Sequence, residues 1–133
     1  MKKGYKENIE KLTVENNDFR RVLYSGEHSQ LVLMSLLPNE EIGMETHPDN
    51  DQFFRFEQGN GRVIINETTY EVTDGDAVIV PAGAAHNVIN LSDSESLKLY
   101  TLYSPAHHKD GIVRATKAIA EMNDEEFNGQ TSE

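Results

Sequence analysis

Short apolar stretches separated by turn residues run along most of the chain. Residues 29–38, SQLVLMSLLP, form an apolar run that a proline ends, and their length fits a buried strand. Residues 52–59, QFFRFEQG, alternate between two faces, so Gln52, Phe54 and Phe56 are expected to point inward from a strand. Both patterns predict β-structure.

The same pattern continues in the second half of the chain. Residues 61–72 predict a β-hairpin, because two β-branched runs flank the turn residues Asn66 and Glu67. Residues 74–83 and 86–105 each combine turn residues with short apolar strands. Turn signals about every 8–12 residues are typical of an all-β sandwich or barrel. Only the last ~18 residues, which include TKAIAEM, favour a helix.

The composition argues against several classes of function. The chain has 133 residues, a net charge of −11 and no cysteine. Nucleic acids and anionic membrane surfaces both attract clustered lysine and arginine, so neither is an expected partner. Without cysteine, any metal must be held by His, Asp, Glu or an amide oxygen. Because no apolar signal segment or membrane-spanning run is present, we expect a cytoplasmic protein.

Candidate chemistry is concentrated in two stretches. The first, METHPDNDQFF, contains Glu45, His47 and Gln52. The second, residues 75–90, contains His86 and has the spacing Gly-x5-Pro-x-Gly-x2-His-x3-Asn. Residues two apart on a strand point to the same face, so Glu45 and His47 are expected to look in one direction.

These stretches resemble the two motifs of the cupin superfamily, and the second motif is complete. The first motif usually has two histidines two residues apart, then a glutamate, then a glycine seven residues further on. In this chain Glu45 stands at the first histidine, and His47 matches the second. Gln52 stands at the glutamate, and Gly59 falls where the glycine is expected.

The resemblance implies a small antiparallel jelly-roll barrel, the double-stranded β-helix of cupins. We assign residues 29–104 to the barrel, residues 1–28 to an N-terminal arm with a first strand, and residues 105–133 to a C-terminal tail, all within one domain. The resemblance also implies a metal ion near the wider end, held by side chains from both motifs. Small single-domain cupins of this kind are similar to proteins described as mannose-6-phosphate isomerase-like.

The third ligand position also fits Asp51, which is a better metal ligand than Gln52. Two observations favour Gln52. The seven-residue step to Gly59 starts from position 52. An inward Asp51 would also turn Arg55 and Glu57 into the core, because a shift of one residue flips a whole strand.

Glu45, His47, Gln52 and His86 are therefore the candidate ligands of a divalent transition metal. Two imidazoles and one carboxylate form the donor set of iron(II) facial triads, and manganese, zinc, nickel and cobalt accept similar donors. Gln52 would add a carbonyl oxygen or hold a metal-bound water. The alternative is a degenerate site without metal, in which Glu45 and Gln52 only hydrogen-bond the two histidines.

Residues 104–111, SPAHHKDG, leave two interpretations open. In one, this segment folds across the barrel mouth, and His108 joins Glu45 as a candidate for proton transfer in catalysis. In the other, His107 and His108 lie on a surface turn that the Asp-Gly pair ends. Histidine is common on protein surfaces, which favours the surface turn.

Three functions remain open, because the cupin barrel hosts many chemistries. The first is a metal-dependent enzyme acting on a small molecule, either a sugar-like isomerase or epimerase or an O2-dependent dioxygenase. The second is a non-catalytic barrel that binds a small ligand. The third is a structural or regulatory partner protein. The chemistry of the candidate site favours the enzyme.

We expect a homodimer, because small cupins often pair through their sheets and such pairing buries edge strands. Analytical ultracentrifugation should therefore give about twice the chain mass of 15.0 kDa. A single species with the mass of one chain would contradict this expectation.

Overall fold

Ten strands form two antiparallel sheets in the computed structural model, which describes residues 1–133. The strands are β1 (Arg20–Ser25), β2 (Gln30–Leu36), β3 (Glu45–Thr46), β4 (Asp51–Gln58), β5 (Asn60–Ile65), β6 (Thr68–Thr73), β7 (Ala77–Val80), β8 (Ala85–Asn90), β9 (Leu97–Ser104) and β10 (Val113–Arg114). The helices are α1 (Ile9–Glu15) and α2 (Lys117–Met122). The predicted all-β fold with a short C-terminal helix is confirmed.

The two sheets differ in size and in strand order. The six-stranded sheet has the order β10-β1-β2-β9-β4-β7, and the four-stranded sheet has the order β3-β8-β5-β6. Strands that are distant in sequence, such as β2 and β9, are neighbours in the first sheet. Such long-range antiparallel pairing is typical of jelly-roll barrels. Neither helix has the length and apolar character required to cross a bilayer.

Strand β4 shows the alternation that the sequence predicts. Gln52, Phe54 and Phe56 are each at most 3% exposed, which confirms that they point inward. Glu57 is also buried, because the pairing of β4 with β9 is irregular between Phe56 and Gln58. A bulge of this kind turns an outward position toward the interior.

The interior is divided into an apolar end and a polar end. At one end of β9, Leu97 lies opposite Leu36 of β2. At the other end of β9, Tyr103 lies opposite Gln30 of β2 and Gln52 of β4. The core cluster draws on both sheets and includes Val32, Met34, Leu36, Phe54, Phe56, Val63, Val88, Leu97 and Leu99. Burial of each such side chain stabilises the fold by about 1.5–3 kcal/mol. The polar side chains at the other end are therefore not needed to hold the barrel together.

The predicted hairpin over residues 61–72 is confirmed as β5 and β6. Asn66 in its turn has a φ of 51°, a conformation that asparagine tolerates better than most residues. Its side-chain oxygen accepts a hydrogen bond from the Ala85 backbone N–H at 3.1 Å. The hairpin turn thus fixes the start of β8, one residue before His86.

Helix α1 was not predicted, since residues 1–28 were assigned only to an arm with a first strand. The Asn8 side chain caps the helix by accepting from the Lys11 backbone N–H at 3.0 Å. Thr13 is fully buried, and the Lys98 ammonium of β9 donates to the Asn16 carbonyl at the end of the helix. The helix is held by these tertiary contacts, and its sequence carries no strong apolar stripe.

Two motif glycines allow a prediction about folding stability. Gly59 and Gly75 have φ values of 103° and 90°, so alanine is strained at both by about 1–2 kcal/mol. A Cβ at Gly59 would also lie 2.8 Å from the Ser96 carbonyl oxygen, whereas a Cβ at Gly75 would meet nothing within 4 Å. Gly59→Ala should therefore lower the free energy of urea unfolding by about 1–3 kcal/mol more than Gly75→Ala. Equal losses would show that the close approach at Gly59 does not matter.

Candidate metal centre

His86 presents a buried nitrogen lone pair that has no partner. The ring lies on β8, and its Nδ1 donates to the Ala84 carbonyl at 3.0 Å. This hydrogen bond leaves Nε2 as the unprotonated nitrogen, and Nε2 is buried without a hydrogen-bond partner. Burial lowers the pKa of His86 by more than the Ala84 hydrogen bond raises it, so the ring stays neutral. This is the form in which histidine coordinates a metal.

The pairing of β3 with β8 brings Glu45 directly opposite His86. Glu45 and His47 look in the same direction, as predicted, and the His47 Nε2 lies 3.1 Å from the Glu45 Oε2. The Gly83 backbone N–H donates to the His47 carbonyl at 3.0 Å, which joins the two motif segments. Cross-strand neighbours on one face lie about 5 Å apart, so two strands suffice to assemble three polar groups.

The ligand atoms of Glu45, His47 and His86 all lie within 4.8 Å of one another. Two atoms at about 2.1 Å from one ion and at right angles to each other are about 3 Å apart. The 3.1 Å separation between His47 and Glu45 matches this value. The three side chains therefore form a cluster that can hold a metal ion, which fits the donor set of the sequence motif.

Glu45 carries the negative charge of the cluster. Burial raises the pKa of Glu45, but the hydrogen bond from His47 and the positive charge of Arg20 contribute to lowering it by more. The net shift of the Glu45 pKa is downward, so the side chain is an ionised carboxylate at neutral pH. An ionised carboxylate between two imidazoles is the electrostatic arrangement that a divalent cation requires.

Gln52 supplies a second buried acceptor without a donor. Its Nε2 donates to the Thr101 Oγ1 at 3.0 Å, which leaves Oε1 as the free end of the amide, buried and without a partner. Asp51 points away from the interior and accepts from the Ala82 backbone N–H at 2.9 Å. The strand therefore has the register that the sequence predicts, with position 52 inward and position 51 outward.

The surface turn favoured for His107 and His108 is wrong. His108 is 4% exposed, and His107 is half-buried. Both backbone N–H groups donate to the buried Gln30 Oε1, at 3.1 and 3.0 Å, and Gln30 Nε2 donates to the His108 carbonyl at 2.7 Å. This segment does fold beside the site, and Gln30 is the residue that fixes it there.

Aromatic contacts join this segment to the candidate ligands. The rings of His47 and His107 have centroids 4.2 Å apart, and Tyr103 stacks on His107 at 5.3 Å. The His108 Nε2 hydrogen-bonds the Tyr103 hydroxyl at 3.2 Å. Tyr100 and Tyr103 are three residues apart on β9, so only one of them can face the interior, and that residue is Tyr103, which is 2% exposed.

An open cleft of about 470 Å³ leads to Glu45 and His47. Its walls include Arg20 from β1 and charged residues of the C-terminal segment, namely Lys117, Glu121, Asp124 and Glu126. Sequence reasoning missed all of these residues, because neither motif includes them and they come from segments far apart in the chain. The size of the cleft suits a small molecule.

The sequence comparison agrees with this architecture. Residues 32–103 match the family model described as the cupin domain. This match covers more than half of the chain, and the chain belongs to the cupin family. The jelly-roll barrel inferred from the two motifs is thereby confirmed.

The proteins similar to this chain include two uncharacterized relatives and one with a crystal structure. The chain is 44% identical over 112 residues to the uncharacterized protein L612 of Acanthamoeba polyphaga mimivirus, covering 82% of this chain and 70% of that protein. It is 46% identical over 119 residues to the uncharacterized protein YrkC of Bacillus subtilis, covering 85% of this chain and 63% of YrkC, which is less than two-thirds of its length. The crystal structure of BH2720 from Bacillus halodurans superposes with a TM-score of 0.88 at 42% identity, covering 91% of this chain and 96% of that one.

The buried His108 allows a prediction about pH. Burial, followed by the Arg20 charge, lowers the pKa of His108 to about 2, against an ordinary value of 6.5 in the unfolded chain. Protons thus bind the unfolded chain more readily, so the stability due to neutral His108 is complete above pH ~6.5 and is lost as the pH falls toward 2. Below pH ~6.5, this group should lower the free energy of unfolding by an amount that rises to about 1.4 kcal/mol per pH unit near pH ~5.

Urea unfolding at several pH values tests this prediction with two variants. His108→Gln should remove that part of the slope, while His28→Gln, at a side chain that is 94% exposed, should leave the slope unchanged. A wild-type slope in His108→Gln would mean that position 108 does not hold a neutral histidine in the folded protein.

Proposed function

We propose that this cupin binds one divalent transition metal ion through Glu45, His47 and His86, and acts as a metal-dependent enzyme on a small molecule. The observation that supports the proposal is the buried Nε2 lone pair of His86, which lies opposite an ionised carboxylate and has no donor to satisfy it. A buried acceptor of this kind is costly unless a cation or a donor occupies the site. Gln52 would add its carbonyl oxygen, either directly or through a water molecule.

The donor set favours oxidation by O2 as the reaction class. Two histidines and one carboxylate form the set that non-haem iron(II) oxygenases use, and such a bound ion would supply open positions for a small molecule and O2. The chain's own part is to set Glu45 and His86 opposite each other on two paired strands, with Glu45 and His47 on the wall of a cleft that admits a small molecule. Tyr103 packs edge to face against His47, and His107 packs against the same ring at a tilt, so the two rings support this ligand.

A sugar-like isomerase or epimerase, of the kind suggested by mannose-6-phosphate isomerase-like proteins, is the second candidate. It is favoured by Glu45, whose Oε2 faces His47 and whose side chain is 34% exposed toward the cleft, so that its other oxygen can accept a proton. We assign His108 a positioning role in either reaction, because its Nε2 already bonds the Tyr103 hydroxyl and its ring stays neutral.

Elemental analysis of the purified protein tests the metal assignment. Wild-type protein should contain about one metal ion per chain, and Glu45→Ala and His86→Ala should each retain less than about one-tenth of it. His28→Ala, which changes an exposed loop histidine, should retain the full amount. Full metal content in both Glu45→Ala and His86→Ala would show that the ligand assignment is wrong.

The identity of the ion separates the remaining functions. Bound iron together with O2 consumption would support the oxygenase, while zinc or manganese without O2 consumption would support the isomerase. Failure to bind any of these ions after loading would leave a non-catalytic ligand-binding barrel as the function.

A further inference from the structure

Arg20 is a charged side chain beside the candidate metal centre that has no partner in the protein. It is the first residue of β1 and lines the same cleft as Glu45 and His47. Its guanidinium makes no hydrogen bond and no ion pair, and its Nε is buried without an acceptor. A buried guanidinium N–H without an acceptor is costly, so a folded protein retains one where a ligand supplies the acceptor.

Three of the other four arginines have a carboxylate partner, and the fourth, Arg21, is exposed to solvent. Arg55, Arg62 and Arg114 each have a carboxylate oxygen within 3.1 Å, although the angle at Arg55 is unfavourable for a hydrogen bond. The chain has 23 acidic residues, so a shortage of carboxylates does not explain the isolation of Arg20. Four acidic residues even line the same cleft, and none of them lies within 4.0 Å of the Arg20 nitrogens.

The guanidinium is held in place and acts on the site electrostatically. Its Cζ lies 5.3 Å from the centroid of the Phe19 ring, a cation–π contact that fixes its plane. Arg114 lies directly opposite Arg20 on β10, and the Glu125 carboxylate neutralises Arg114. The positive charge of Arg20 therefore faces the cleft without an ion-pair partner, close enough to Glu45 to lower the pKa of that carboxyl. Burial, followed by the charge of Arg20, lowers the pKa of His108, which lines the same cleft.

We propose that Arg20 binds the carboxylate group of a small organic acid that enters the cleft. This inference names the substrate class of the proposed enzyme and rests on that function, because the carboxylate would belong to the molecule presented to the metal centre. A guanidinium matches a carboxylate through two parallel N–H···O bonds. Phosphate is less suitable, because its recognition favours several cations, and the other cation of the cleft, Lys117, lies 3.9 Å from Glu121.

Binding of malonate, followed by NMR through the Nε–Hε signal of Arg20, tests the proposal. Malonamide is the matched neutral probe, and inorganic phosphate is the competing anion. Malonate should shift the Arg20 signal and malonamide should not. Arg20→Gln should weaken malonate binding at least about tenfold, and Arg20→Lys should weaken it less, because the charge remains while the paired hydrogen bonds are lost. Arg62→Gln, which changes an arginine 40% exposed and paired with Glu71, should bind malonate like the wild type.

Repeating the titration in the His86→Ala background separates this inference from the metal assignment. Malonate binding that depends on Arg20 should persist there, whether or not the wild-type protein binds metal. Wild-type affinity in Arg20→Gln, or equal binding of malonamide and malonate, would overturn the proposal, as would tighter binding of phosphate than of malonate.

The stability of Arg20→Gln excludes a structural explanation. Because the substitution removes an unpaired charge, the unfolding midpoint should stay at the wild-type value or rise. A variant that unfolds, or whose midpoint falls markedly, would make Arg20 a structural residue and would also overturn the proposal.

Discussion

The pairing of β3 with β8 is the contact on which the candidate site depends. It spans two residue pairs, and one of them sets Glu45 opposite His86. The link from the Gly83 N–H to the His47 carbonyl extends the same pairing by one step. Without this short ladder, the three ligand atoms would belong to separate loops. A few backbone hydrogen bonds thus fix the position of the first motif relative to the second.

The short β3–β8 ladder keeps its position because the rest of the barrel is stable without it. The apolar end, with Phe56, Leu97 and Leu99 fully buried, supplies the burial energy of the fold. The polar end contains acceptors that the protein itself does not satisfy, on His86 and Gln52. These acceptors lack hydrogen bonds at the place where a ligand would be bound. Burial of side chains at the apolar end offsets the free-energy cost of leaving them unpaired.

Much of the fold and several positions of the candidate site could be predicted from the sequence. Alternation in β4 gave the inward position of Gln52, and the spacing of two within the first motif gave the common direction of Glu45 and His47. These are local properties, since strand parity fixes which side of a sheet a residue faces. The burial of Glu57 could not be predicted in this way, because a bulge interrupts the parity.

The remaining features depend on contacts between distant segments. Helix α1 is held through Lys98, and the segment with His107 and His108 is held through Gln30, more than seventy residues away. Arg20 reaches the cleft from a strand that lies before both motifs. No pattern within a short window indicates these contacts, because the partner of each residue is chosen by the packing of the two sheets.

The outer wall of the cleft comes from chain segments on either side of the stretch shared by the cupin family. Arg20 precedes residues 32–103, and Lys117, Glu121 and Asp124 follow them. Substitutions in these two flanking segments could therefore change which molecules enter the cleft, while Glu45, His47 and His86 stay the same. The choice of ligand would then depend on the flanking segments, and the chemistry would depend on the barrel.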